Sequence, residues 1–118
     1  MILKIQGKCI SKDNSKIRNK QGRYFLSTKY KDYEKGVALQ AISQKPKDFK
    51  IFNNDLLVIV TFYFTSKVHG DICNLTKSLF DSLIGIIYKD DKQIKDCQLL
   101  INYVKDNPMV LLSITEIK

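Results

Sequence analysis

Residues 71–96 read DICNLTKSLFDSLIGIIYKDDKQIKD, and the rest of the chain is arranged around this stretch. Leu75, Leu79, Leu83 and Ile86 recur three or four apart, the period of an amphipathic helix. Asn74, Lys77 and Asp81 fall together on the opposite, polar edge. Asp71 precedes the first turn, and the pair Asp90-Asp91 follows the last. With Asp96, five of the chain's twelve acidic residues lie here, in a protein of net charge +8. Carboxylates at both ends of one helix suit a cation, provided the fold brings those ends to a common point.

Upstream, LLVIVTFYF (Leu56 to Phe64) is β-branched and aromatic with both faces apolar. It predicts a central strand covered on both sides. Lys67-Val68-His69-Gly70 links that strand to Asp71. Downstream, QLLINYV (98–104) and MVLLSITEI (109–117) flank Lys105-Asp106-Asn107-Pro108, which reads as a hairpin turn. Toward the N-terminus, Ser27 is an N-cap candidate for a helix running to about Gln44, with Pro46 beyond its end. Tyr30, Tyr33, Val37 and Ala41 form its apolar stripe. Residues 11–24, rich in Lys, Asn and Ser, read as a loop, and Ile2 to Ile5 as a first strand. The expected order is β-α-β-α-β-β: an α+β fold with a short mixed sheet, two helices and one domain over 1–118.

Composition narrows the function. Twenty basic residues against twelve acidic ones favour a polyanionic partner, nucleic acid before anionic membrane. Charge alone leaves an ordinary basic soluble protein equally open. Cys9, Cys73 and Cys97 are odd in number and include no C-x-x-C pair, so a disulfide framework is not expected and a reducing cytoplasm is. The longest apolar run, Leu56 to Phe64, is too short to span a bilayer, and MILKIQGKC does not read as a secretion signal.

The run D-x-C-N-L-x-K-x-x-F-D-x-L, followed by Y-K-D-D-x-Q-I, resembles the core motif of the RusA family of Holliday-junction resolvases. The matching residues are Asp71, Asn74, Leu75, Lys77, Phe80, Asp81, Leu83, Asp90, Asp91 and Gln93, in the family's order and spacing. Gly22, Arg23, Ser27 and Tyr33 add a second similarity. The resemblance implies a small dimeric endonuclease that cuts four-way DNA junctions with Mg2+, for which Mn2+ can substitute. It implies Asp71 and Asp91 as metal ligands with Asp90 beside them, Lys77 as a stabiliser of the transferring phosphate, and Asn74 as a support for Asp71. Lys16, Arg18, Arg23, Lys67 and His69 are the expected contacts to DNA phosphates.

The chain departs from the motif at Cys73, where the family carries its second aspartate. A neutral thiol is a poor magnesium ligand, and the exchange removes one negative charge. Three readings follow: an enzyme with a reduced carboxylate set, a non-catalytic junction-binding relative, or a position that has been altered. A small basic RNA-binding α/β domain stands as the reading independent of the resemblance. Each residue also has a plain structural role available. Asp71 can be a helix N-cap, Asp90-Asp91 a turn, Asp81 an i, i+4 partner of Lys77, and His69 a solvated turn histidine.

Overall fold

The structure, a computed structural model, describes residues 1–11, 16–18, 20–22 and 24–117, with only the backbone described for 16–18 and 24–26. In chain order the elements are β1 (Ile2–Gln6), β2 (Lys16–Arg18), β3 (Tyr24–Leu26), α1 (Thr28–Gln44), β4 (Leu56–Phe64), α2 (Ile72–Leu83), β5 (Ile94–Tyr103) and β6 (Met109–Glu116). A short 3-10 turn, Asp91–Gln93, leads into β5. The main sheet has the order β1-β6-β4-β5, with β5 parallel to β4 and the other pairs antiparallel. The fold is thus α+β, with two helices on a four-stranded mixed sheet and the expected element order. The stretch read as a loop contains an added feature, for β2 and β3 pair as a separate two-stranded ribbon.

One face of the sheet makes the core. Along β4, burial alternates residue by residue: Leu56, Val58, Val60, Phe62 and Phe64 are buried, and Leu57, Ile59, Thr61 and Tyr63 are half-buried. The buried set packs with Leu3 and Ile5 of β1, Val110, Leu112 and Ile114 of β6, Val37 and Ala41 of α1, and Leu75, Leu79 and Leu83 of α2. The expectation that β4 is covered on both sides is corrected: both helices lie against one face. Apolar composition on both faces of a strand does not say whether both are covered within one chain.

The two sheet edges differ. Alpha helix α1 runs beside β1, capped by the Ser27 hydroxyl, which accepts from the Tyr30 N–H at 3.1 Å. Its Gln44 accepts from the Lys4 N–H (2.8 Å) and donates to the Lys4 carbonyl (2.7 Å). Gln40 does the same at Gln6, at 2.7 and 3.3 Å. Four residues along a helix rise about 6 Å and two along a strand about 6.6 Å, so carboxamides at i and i+4 match alternate strand residues. At the other edge, β5 is exposed over most of its length.

The turn between β5 and β6 is not a hairpin turn. Those strands lie on opposite sides of β4 and do not pair with each other. Parallel pairing of β5 with β4 makes β4-α2-β5 a βαβ unit, with α2 as its crossover. No helix among the described residues is long and apolar enough to cross a membrane.

Candidate active site along helix α2

Helix α2 fixes the site. Its buried side holds Leu75, Leu79 and Leu83 together with three hydroxyls, which bond back to carbonyls four residues earlier: Thr76 to Ile72, Ser78 to Asn74 and Ser82 to Ser78. Those bonds satisfy the hydroxyls, so small polar residues can be buried without loss. Cys73 and Lys77, one turn apart, are exposed on the other side. Asp71 is the N-cap, accepting from the Cys73 N–H at 2.8 Å. Among the described residues Asn74 makes no hydrogen bond to Asp71, so the expected support from that side chain is not seen.

The helix is shorter than the sequence periodicity predicts. It stops at Leu83, and Gly85 then takes φ 83°, a conformation that favours glycine. The following turn is pinned by Tyr88, which is fully buried and donates its hydroxyl to the Phe80 carbonyl at 2.7 Å. Asp90 and Asp91 therefore sit on a returning turn, seven and eight residues beyond the helix end. Asp90 caps the 3-10 turn by accepting from the Lys92 N–H at 2.9 Å. Gln93 closes the box: its side-chain oxygen accepts from Lys89 and Asp90 N–H groups, and its amide donates to the Phe52 and Asn54 carbonyls.

This turn gathers three carboxylates. Partial burial, a hydrogen bond with Asp90 and the nearby Asp81 hold the Asp91 carboxyl above its ordinary range. The Lys92 N–H, aided by Asp91, holds Asp90 below its own. Asp81, read from sequence as a helix partner of Lys77, is thus a member of the cluster that sequence reasoning assigned elsewhere. The available signal was the F-D-x-L segment of the matched motif.

Asp71 lies at the other end of the helix. In a βαβ unit the loop entering the crossover and the loop leaving it lie at opposite ends of the strands. Ten residues of helix separate Asp71 from Asp81, roughly 15 Å at 1.5 Å per residue. No group of three or more His, Cys, Asp or Glu among the described residues is placed to hold a metal ion. Asp90 and Asp91 are hard oxygen donors of the kind magnesium takes, and the described residues of one chain do not bring Asp71 to them.

The basic residues divide. His69 is half-buried, not a free turn histidine: its ring stacks on Phe64 at 3.9 Å between centroids. Its Nδ1 lies 2.9 Å from the Gly70 carbonyl and its Nε2 3.2 Å from the Tyr103 hydroxyl. A phosphate reaching Nε2 would have to displace Tyr103. Lys67 is exposed beside it, and a cavity of about 100 Å³ next to Asp71 is lined by Lys8, Ser66, His69 and Leu75 among others. Arg23 and the side chains of Lys16 and Arg18 lie outside the described residues. Cys97, on β5, is near enough to Cys73 for that group to raise its pKa, after burial and Asp96.

The family model for endodeoxyribonuclease RusA matches residues 6–115 of the 118, which includes every motif residue named above. No curated protein compared with the chain matches it. RusA nucleases act on Holliday junctions and generally depend on a divalent metal. By a match that spans nearly the whole sequence, this chain belongs to the RusA family of endodeoxyribonucleases.

Proposed function

We propose that the chain is one endonuclease domain that resolves four-way DNA junctions by Mg2+-dependent phosphodiester hydrolysis, acting in recombination and repair as a cytoplasmic homodimer. The observation that carries this reading is the family match over residues 6–115, with Asp81, Asp90 and Asp91 brought close together beyond the end of α2. A divalent cation would offset the repulsion among these neighbouring carboxylates. Asp90 and Asp91 are the proposed ligands at this end of α2 and Asp71 at the other. Magnesium would supply an activated water and a positive charge against the leaving oxygen.

The chain's own residues have separate tasks. Lys77 stands exposed midway along α2, between the two ends, where its ammonium can meet a phosphate that lies along the helix. Gln93 holds the Asp90-Asp91 turn in place. Lys67 and the basic 11–24 segment supply sequence-independent attraction to the backbone. Because Asp71 and Asp91 are at opposite ends of one βαβ unit, joining them on one cation needs a second chain. The homodimer is therefore part of the chemical reading and not only a match to the symmetry of the junction.

A non-catalytic junction-binding relative is the second reading. Cys73 and the capping bond that occupies Asp71 favour it. Nicking of a synthetic four-way junction with Mg2+, with a linear duplex as control, separates the two. Junction-selective nicking supports the endonuclease, and selective binding without nicking at any metal concentration supports the relative.

A further inference from the structure

We propose that His69 is a positioning residue for Asp71, holding the backbone just before that carboxylate, and not one of the contacts to DNA phosphate. The inference rests on the reading of Asp71 as a metal ligand and names the side chain that sets where it stands.

Three sets of contacts carry it. The first mounts the ring. The link from β4 to α2, residues 65–70, turns the chain from a strand end into a helix N-terminus. His69, the chain's single histidine, lays its ring on Phe64, the last residue of β4, at 3.9 Å between centroids and 10° between planes. Phe64 in turn stacks on Phe62 at 5.4 Å and 6°, and both phenylalanines are buried. The imidazole is thus fixed to the core of the sheet, although its backbone belongs to the loop.

The second set uses both ring nitrogens. Nδ1 lies 2.9 Å from the Gly70 carbonyl, and Nε2 3.2 Å from the hydroxyl of Tyr103, the last residue of β5. A carbonyl can only accept, so Nδ1 carries a proton, and in the neutral ring Nε2 accepts from Tyr103. The tyrosine hydroxyl thereby selects the tautomer whose other nitrogen holds Gly70. Third, α2 closes on Gly70 as well: a Cβ there would stand 3.4 Å from the Leu75 side chain. The peptide that precedes Asp71 is gripped by His69 and backed by the helix it enters. Asp71 follows at once, its carboxylate accepting from the Cys73 N–H at 2.8 Å and its carbonyl from the Leu75 N–H at 3.0 Å.

These contacts separate positioning from phosphate binding. A phosphate at Nδ1 would release Gly70, and one at Nε2 would displace Tyr103. Lys67, exposed in the same link, carries the attraction for DNA here without disturbing either bond. A group that orients a metal ligand without touching the metal typically changes metal affinity or rate by roughly 10- to 100-fold when it is removed. His69 acts at one further remove, through the backbone of Gly70, and the same scale applies to it.

The test uses the full chain and three variants, with circular dichroism to check folding. His69→Ala removes the ring and both bonds. His69→Phe keeps a ring on Phe64 without the bonds, and His69→Asn keeps an N–H at the same remove from Cβ as Nδ1 without the stack. His69→Ala should lower the nicking rate at saturating junction by roughly 10- to 100-fold, and weaken Mn2+ binding read by electron paramagnetic resonance by a similar factor. Junction affinity and its salt slope should stay at the parent's values. The Cys73 amide, which the Asp71 carboxylate caps, should exchange faster than in the parent. His69→Asn should recover more of each loss than His69→Phe, and that comparison decides the matter if His69→Ala does not fold. Weaker junction binding with a slope lower by about one unit would make His69 a phosphate contact and overturn the proposal. Parent-like Cys73 exchange in His69→Ala, or a phenylalanine variant equal to the parent, would overturn it too. A parent that neither nicks nor binds Mn2+ sinks the endonuclease reading, and Cys73 exchange then still decides the role of His69.

Discussion

The side-chain oxygen of Gln93 accepts the Asp90 backbone N–H at 3.0 Å, while the amide of the same side chain donates to the Phe52 and Asn54 carbonyls. One carboxamide thus ties the carboxylate-bearing turn to the segment that leads into β4. It also gives a physical reason for a glutamine in D-D-x-Q: both a donor and an acceptor are used.

Gln93→Glu keeps the acceptor and loses the donors, setting a carboxylate against two carbonyls. It should cost about 1–3 kcal/mol of unfolding free energy, the range for leaving such groups unsatisfied. Gln93→Ala should cost a similar amount. Urea unfolding measures both, and a glutamate variant as stable as the parent would show that the amide bonds carry no weight.

For Asp91→Asn the sign is set by the raised pKa. The folded chain holds this proton more tightly than the unfolded chain, so Asp91 lowers stability as pH rises from the unfolded value through the folded one. Without metal, the Asn variant should be more stable than the parent at neutral pH and lose that advantage as pH falls toward 4, near the ordinary carboxylate pKa. Thermal melts across pH in EDTA read this. An advantage that grows toward acid would reverse the assignment.

Junction nicking by Asp91→Asn and by Lys77→Ala should drop by roughly 100-fold or more, the scale for removing one transition-state contact. Junction binding by Asp91→Asn should hold or tighten, because one negative charge facing DNA is gone. An Asn variant that cuts at the parent's rate would remove Asp91 from the metal set.

Cys73→Asp should raise magnesium-dependent nicking, since it restores a hard oxygen donor two residues after Asp71. The parent should recover part of that difference in Mn2+. Position 73 is exposed and lies in the first turn of α2, where a carboxylate favours the helix by about 0.3–1 kcal/mol. The variant should therefore be at least as stable as the parent. Unchanged nicking in a fully folded variant would count against a metal at that end of the helix.

Substituting Lys16, Arg18 and Arg23 together should weaken junction binding and flatten its salt dependence by roughly one unit of slope per lost phosphate contact. Titrations at several salt concentrations give the slope. An unchanged slope would return the segment to a solvated role.

Local chemistry was legible in the sequence where a single residue sets it. Ser27 caps α1, Asp71 caps α2, and the bounds of α1 and β4 follow from polar caps and apolar runs. Pairing was less legible. Lys105-Asp106-Asn107-Pro108 has turn composition, but composition does not reveal that β4 lies between the strands it joins. The end of α2 was missed because Ile86 and Ile87 continue an apolar pattern past Gly85, whose positive φ ends the helix. At the site, residue identities came from motif spacing. The grouping of Asp81 with Asp91, and the separation of both from Asp71, depend on the crossover and needed the fold.

The glutamines of α1 have a consequence for how large an assembly can become. In polymer chemistry, a unit with two reactive ends grows into a chain, and a unit with one can couple only once. With Gln40 and Gln44 occupying the outward groups of β1 at Lys4 and Gln6, the open edge of this sheet among the described residues is that of β5. Any coupling through that edge would stop at two and leave no end for a filament. Gln40→Ala/Gln44→Ala would open a second edge, and light scattering should then show larger assemblies than the parent forms.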